Sequence, residues 1–214
     1  MRLLEPKEQL QYVSEVKRRK KERDIYSEGR KGLEATTSIQ IPCRITGMRM
    51  LADGYDTIER TILPPMRIII PQKSVKTSIR TETIRYVLDT PSNVGLPIAH
   101  IFHNGSVCFG TVPVPRNVAA NKYLSPLDTL LGYNDRVVSH GGAQFYPTMS
   151  QEADLKQLSK ETNIPIDVNA HSNWIAIDGP WVFCKWLLEK YDVQTAINYA
   201  KRLYNIMWGT PNTP

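Results

Sequence analysis

The chain has 214 residues, 41% of them hydrophobic, and a formal charge of +6. That is enough apolar material for one substantial core, or for one domain with an appended subdomain. Fifteen prolines and many short apolar runs exclude an all-helical bundle, and no apolar run reaches the about 18 residues that a bilayer span needs.

Met1-Arg2-Leu3-Leu4 is followed at once by Glu5, Pro6 and Lys7, which lacks the apolar stretch of a signal peptide. The cysteines, Cys43, Cys108 and Cys184, are widely spaced, with no Cys-x-x-Cys and no Cys/His cluster. No metal and no cofactor is expected. Free thiols in a reducing cytoplasm are the economical reading, and a Cys43–Cys184 bridge stays open.

Residues 5–24 read as a helix, with Leu10, Val13 and Val16 as part of an apolar stripe and Pro6 in the first turn. Basic charge gathers here at Lys17, Arg18, Arg19, Lys20, Lys21 and Arg23. It forms either a solvated helix face or an electrostatic contact with nucleic acid or an acidic partner. Only Tyr12 and Tyr26 lie nearby, whereas a single-strand binder interleaves aromatics for stacking. Gly29-Arg30-Lys31-Gly32 ends the segment, so residues 1–32 are an N-terminal basic helix and linker.

Strand patterns follow. Thr37–Ile41 alternates polar and apolar residues, and Arg44–Leu51 does so less cleanly. Asp53-Gly54 is a strong turn signal. Met66–Ile70, bracketed by Pro64-Pro65 and Pro71, is a candidate buried strand; Thr83–Leu88 alternates again until Asp89–Asn93 breaks it. Successive short strands with turns predict an antiparallel meander.

Ser125 as N-cap and Pro126 as first helical residue open a helix over 126–138, which Ser139-His140-Gly141-Gly142 stops. Beyond it, 151–162 reads as a helix, 164–168 and 173–178 as two strands, and 181–191 and 193–208 as helices. This order is similar in outline to RNA-binding KH modules, but their Gly-x-x-Gly clamp is missing. Trp181, Trp186, Tyr199, Tyr204 and Trp208 recur near helical spacing, as core or subunit interface. The last residues, 209–214, read as a tail.

The densest chemistry lies between Leu96 and Gly110. His103-Asn104-Gly105 delivers the chain into Ser106-Val107-Cys108-Phe109-Gly110, a short apolar strand with a thiol near its end. Prolines at 97, 113 and 115 keep this stretch out of a helix. Cys108 is either a nucleophile beside a loop or a small buried hydrophobe next to Val107 and Phe109. A Cys–His protease pairing Cys108 with His100, His103 or His140 is a further reading, without a protease-like context around the cysteine.

The run His100-Ile101-Phe102-His103-Asn104-Gly105-Ser106-Val107-Cys108 resembles the active-site segment of the ubiquitin-conjugating enzymes. There His-Pro-Asn leads through a Gly-containing turn to Ile or Val and then the catalytic Cys. It is similar also to a bacterial branch found with plasmids and mobile elements, whose segment runs Asn-Val-Tyr-x-Asp-Gly-x-Val-Cys-Leu-Gly. Leu124-Ser125-Pro126-Leu127 resembles the Trp-Ser-Pro that opens the following helix in that family. The resemblance covers about residues 60–145 and requires an insertion near 113–122. His-Pro-Asn itself is absent, and the family's oxyanion-holding Asn aligns with His100.

The resemblance implies an α+β fold: an antiparallel sheet flanked by helices, ubiquitin-conjugating-enzyme-like over 33–147, with a helical or α/β addition over 148–214. It implies transfer of a ubiquitin-like protein through a thioester on Cys108, with His100 as candidate oxyanion donor and with a modifier and an activating enzyme as partners. Two other expectations stand beside it. One is a non-catalytic interaction or assembly module of the same fold, in a homo- or hetero-oligomer. The other is a basic, nucleic-acid-associated phage or mobile-element protein.

Overall fold

The computed structural model describes residues 36–52, 55–71, 79–80, 83–91, 93–98, 100–110, 117–118, 124–133, 145–166 and 179–211. The expected N-terminal helix with its basic run, His140, and the expected strand at 173–178 lie outside the described residues.

The described chain is mixed α and β. Its strands are β1 (Thr36–Ile41), β2 (Arg44–Ala52), β3 (Tyr55–Leu63), β4 (Met66–Pro71), β5 (Ile79–Arg80), β6 (Arg85–Leu88) and β7 (Asn117–Val118). Its helices are α1 (Leu124–Tyr133), α2 (Met149–Thr162), α3 (Gly179–Lys190) and α4 (Val193–Trp208).

Every ladder is antiparallel, but the strands form a three-stranded sheet, β1-β4-β6, and two pairs, β2-β3 and β5-β7, rather than one unbroken sheet. Two of these ladders share a register. Ile41 faces Met66 at the end of the β1–β4 ladder, and Arg44 faces Leu63 at the start of β2–β3. The same alignment carried across the gap sets Pro42 opposite Pro65. Residues 36–52 and 55–71 are therefore two arms of one long hairpin. Its ladder lapses where prolines bring no N–H. β6 then pairs with β4, Leu88 facing Met66, so the three arms follow one another in chain order.

α1 opens at Leu124, one residue before the expected cap, so Ser125 and Pro126 stand within its first turn. Proline is tolerated there because first-turn N–H groups have no intrahelical acceptor. The helix packs on β2. Arg44 ion-pairs with Asp128 of α1, and Thr46 Oγ1 donates to the same carboxylate at 3.3 Å.

The C-terminal helices share the sheet's core. Ile62, Met66, Ile68 and Tyr86 belong to one buried cluster with Leu155, Leu158, Trp181, Phe183, Leu187, Leu203 and Tyr204. Thr61 Oγ1 donates to the Trp181 carbonyl at 2.8 Å, and Tyr204 Oη donates to the Ile62 carbonyl. Trp181 and Tyr204 are core residues, whereas Trp186 is exposed.

α2 begins with a capping box. Thr148 Oγ1 accepts from Gln151 N–H, and Gln151 Oε1 accepts from Thr148 N–H. The Gln151 amide also donates to the Ile206 carbonyl at 2.8 Å, so one side chain starts α2 and closes the last turn of α4.

The strand expected at 164–168 does not form over its described part, 164–166. Asn163 adopts a left-handed cap at φ 49°. Ile164 spends its N–H on the Ser159 carbonyl and its carbonyl on Ser159 Oγ, and Pro165 brings no N–H. The backbone there is committed to ending α2, leaving nothing to start a ladder. Among the described residues no helix is long and apolar enough to cross a membrane.

Candidate functional site

The segment around Cys108 is built on β6. After Leu88 the chain turns through Asp89 and Thr90, with Asn93 N–H donating to the Thr90 carbonyl at 3.1 Å. Arg67 holds this turn. Its Nη2 donates to Asn93 Oδ1 at 2.8 Å, and its Nε lies 3.2 Å from Asp89 Oδ1, close enough for an ion pair though not aligned as a hydrogen bond. The chain then runs back along β6. Leu88 N–H donates to the Val94 carbonyl at 2.7 Å, and Leu96 N–H donates to the Tyr86 carbonyl at 3.3 Å.

Residues 100–108 form a small hairpin. Phe102 N–H donates to the Ser106 carbonyl at 2.9 Å, Cys108 N–H donates to the His100 carbonyl at 2.8 Å, and Ile101 faces Val107 between them. That pattern makes Phe102–Ser106 and His100–Cys108 the flanking opposed pairs. Asn104 Oδ1 accepts from both the N–H (3.0 Å) and the Oγ (2.7 Å) of Ser106, which closes the tip.

Two glycines fit this hairpin to its base. Gly105 sits at φ 84°, where an added Cβ would meet Val87 Cγ1 at 2.6 Å and the Tyr86 carbonyl oxygen at 2.8 Å. Tyr86 N–H donates to the Gly105 carbonyl at 2.9 Å. At Gly95 an added Cβ would stand 2.2 Å from the Phe102 carbonyl oxygen. Glycine there lets the return arm pass directly against the hairpin, with Gly95 N–H donating to the His103 carbonyl at 2.9 Å.

Tyr86 carries the anchoring inward. Its ring is buried, and burial, then the charge of Asp128, pushes its phenol well above the usual range, while a hydrogen bond from the Leu127 backbone and the charge of Arg44 work the other way. The hairpin thus rests on β6, β6 on α1, and α1 on β2.

The alternation of the ribbon decides what the hairpin presents. Ile101 and Val107 pack inward on the core. The opposite face carries Phe102 and Ser106, then Cys108. Phe102 is 52% exposed and Cys108 is partly exposed. The backbones of Cys108 and His100 meet through the Cys108 N–H bond to the His100 carbonyl, and His100, at φ 65°, leaves the extended conformation there.

The other two cysteines differ. Cys43 and Cys184 are buried and free. Burial pushes the Cys43 thiol up to about 11 and the Cys184 thiol up to about 12. Cys184 Sγ lies 3.3 Å from Tyr204 Oη. No disulfide joins Cys43 to Cys184.

A partly exposed thiol on a fixed ribbon, its own N–H bonded to the His100 carbonyl, can act as a nucleophile or bear an acyl group. His103 lies at the exposed tip, away from the His100–Cys108 pair. Phe102 and Ser106, which share the outward face with Cys108, escaped sequence reasoning. The signal that could have found them is the period of two counted back from the cysteine. Gly95 was readable only as part of a loop, because its role depends on a strand that approaches from elsewhere. Compared with protein-family models, curated proteins and solved structures, the chain matches none.

Proposed function

We propose that the chain adopts a ubiquitin-conjugating-enzyme-like fold and transfers a ubiquitin-like protein through a thioester on Cys108. The observation that carries this reading is the hairpin. It presents the partly exposed thiol of Cys108, whose N–H bonds the His100 carbonyl, on a ribbon tied to β6 at Gly105 and Ser106. The chain-order pairing of the three hairpin arms and the helix after the cysteine support the fold reading.

In the proposed reaction the Cys108 thiolate attacks the thioester carbonyl of a modifier held on its activating enzyme. The new C–S bond forms as the old one breaks, and the activating enzyme leaves as its thiolate. An acceptor amine then displaces Cys108 and loses a proton. Each tetrahedral intermediate carries an oxyanion that needs a donor, and His100 is the candidate.

The test supplies a ubiquitin-like modifier and its activating enzyme and looks for a reductant-sensitive conjugate. Cys108→Ser should abolish it or convert it to a reductant-resistant ester. His100→Ala should slow discharge to an amine while leaving the circular dichroism unchanged, and Cys184→Ser should leave conjugation intact. A native chain that forms no thioester under these conditions would give way to the interaction-module reading.

A further inference from the structure

The lapse in the long hairpin creates a second feature, remote in sequence from Cys108. Where Pro42 stands opposite Pro65, a cleft of about 460 Å³ opens between the sheet and α4. That volume suits a small organic ligand. Pro42 and Pro65 give its floor apolar surface and no backbone N–H donors. Side-chain donors line it from Gln40 of β1 and from α4, where Lys201 and Asn205 stand one turn apart.

The charges are unequal. Asp89 also lines the cleft, but its carboxylate is matched by Arg67. Lys201 forms no ion pair among the described residues. Its charge reaches the cleft, because it draws the Cys43 thiol downward against the larger upward push of burial. Among the described residues the cleft therefore combines an apolar floor, one positive charge without an ion-pair partner and a neighbouring amide. Asp89 opposes a second negative charge on whatever enters.

We infer that this cleft is a binding site for a small organic carboxylate with an apolar body, the body lying on Pro42 and Pro65 and the carboxylate meeting Lys201 and Asn205. A monoanion satisfies Lys201 without adding charge beside Asp89. A carboxylate accepts from both the ammonium and the amide, and a flat apolar group covers the proline rings.

The test is an amide-resolved NMR titration of the full chain with four probes: 3-phenylpropionate, 3-phenylpropylammonium, acetate and inorganic phosphate. 3-Phenylpropionate should give saturable shifts at Cys43, Lys201 and Asn205, with Kd on the order of 1 mM or tighter. The other three probes should leave those amides unmoved at equal concentration. Lys201→Met should weaken binding about tenfold or more, the scale of one charge-assisted hydrogen bond, whereas Lys201→Arg should hold it within about threefold. Lys201 is exposed, so neither variant disturbs the core, and unchanged shifts elsewhere check this. Absence of saturable shifts, equal binding of the ammonium or phosphate probe, or an unchanged affinity in Lys201→Met overturns the assignment.

Discussion

With thiols held up at about 11 and about 12, Cys43 and Cys184 stay protonated at neutral pH, and both are buried. Iodoacetamide at pH 8 should therefore alkylate Cys108 first in the folded chain and all three cysteines in denaturant, which peptide mass mapping would resolve. The same two groups set an alkaline limit. Folding favours their neutral forms, so the stabilisation is whole below the ordinary thiol value of 9.0. It is lost as pH climbs through about 11 to 12. Denaturation midpoints should fall across that window, and less steeply in Cys184→Ala after correction for the cavity. Where the hairpin's turn meets β6, Gly105→Ala meets both a left-handed backbone and a crowded Cβ. It should cost about 2–4 kcal/mol in urea unfolding. It should also change the alkylation rate of Cys108, because the hairpin would have to lift from β6.

Pairs of elements are held by single side chains, and that makes their contributions measurable. Tyr204→Phe removes the hydroxyl that bonds the Ile62 carbonyl and touches Cys184, leaving a buried acceptor unmatched. A loss of about 1–3 kcal/mol is expected from thermal or chemical denaturation. Between α2 and α4, Glu161 and Arg202 form a two-pronged pair. The Arg202 hydrogen bond, helped by Gln157, draws the Glu161 carboxyl down to about 2. A lowered carboxyl value means the contribution is present above the ordinary 4.5 and is lost as pH falls through about 2. The stability difference between the native chain and Glu161→Gln should therefore shrink on acidification through that range. At this scale the sequence was readable wherever the pattern was local. The strands β1, β2 and β4 and the helices α2, α3 and α4 follow from alternation, turns and apolar spacing. The failed strand at 164–166 shows the limit: Ile164 and Ile166 have strand-like spacing, but Ser159 and Asn163 claim the backbone first.

Across the whole molecule one core joins the hairpin arms to the C-terminal helices, so a piece spanning 33–147 would expose the surfaces that Trp181, Leu203 and Tyr204 cover. Such a fragment should give a poorly dispersed NMR spectrum, and supplying 148–214 separately should restore dispersion. The candidate site was legible at Cys108 and His100, through a motif nine residues long. Its outward neighbours and its glycine contacts were not, because they depend on a ladder and on a return arm that no local window contains. The cleft under α4 was equally hidden, since Pro42, Pro65 and Lys201 meet only after the helix crosses the hairpin. The buried residues of the two arms also bear on which alignments of the hairpin can compete during folding. In the observed alignment Pro42 stands opposite Pro65, with Pro64 beside it, so the missing donors form one short interruption. Sliding one arm by a residue would keep the prolines together but turn that arm's core residues toward the wrong face, Ile39 and Met48 on one arm or Ile68 on the other. Side-chain facing thus leaves the long hairpin with one alignment that suits its core.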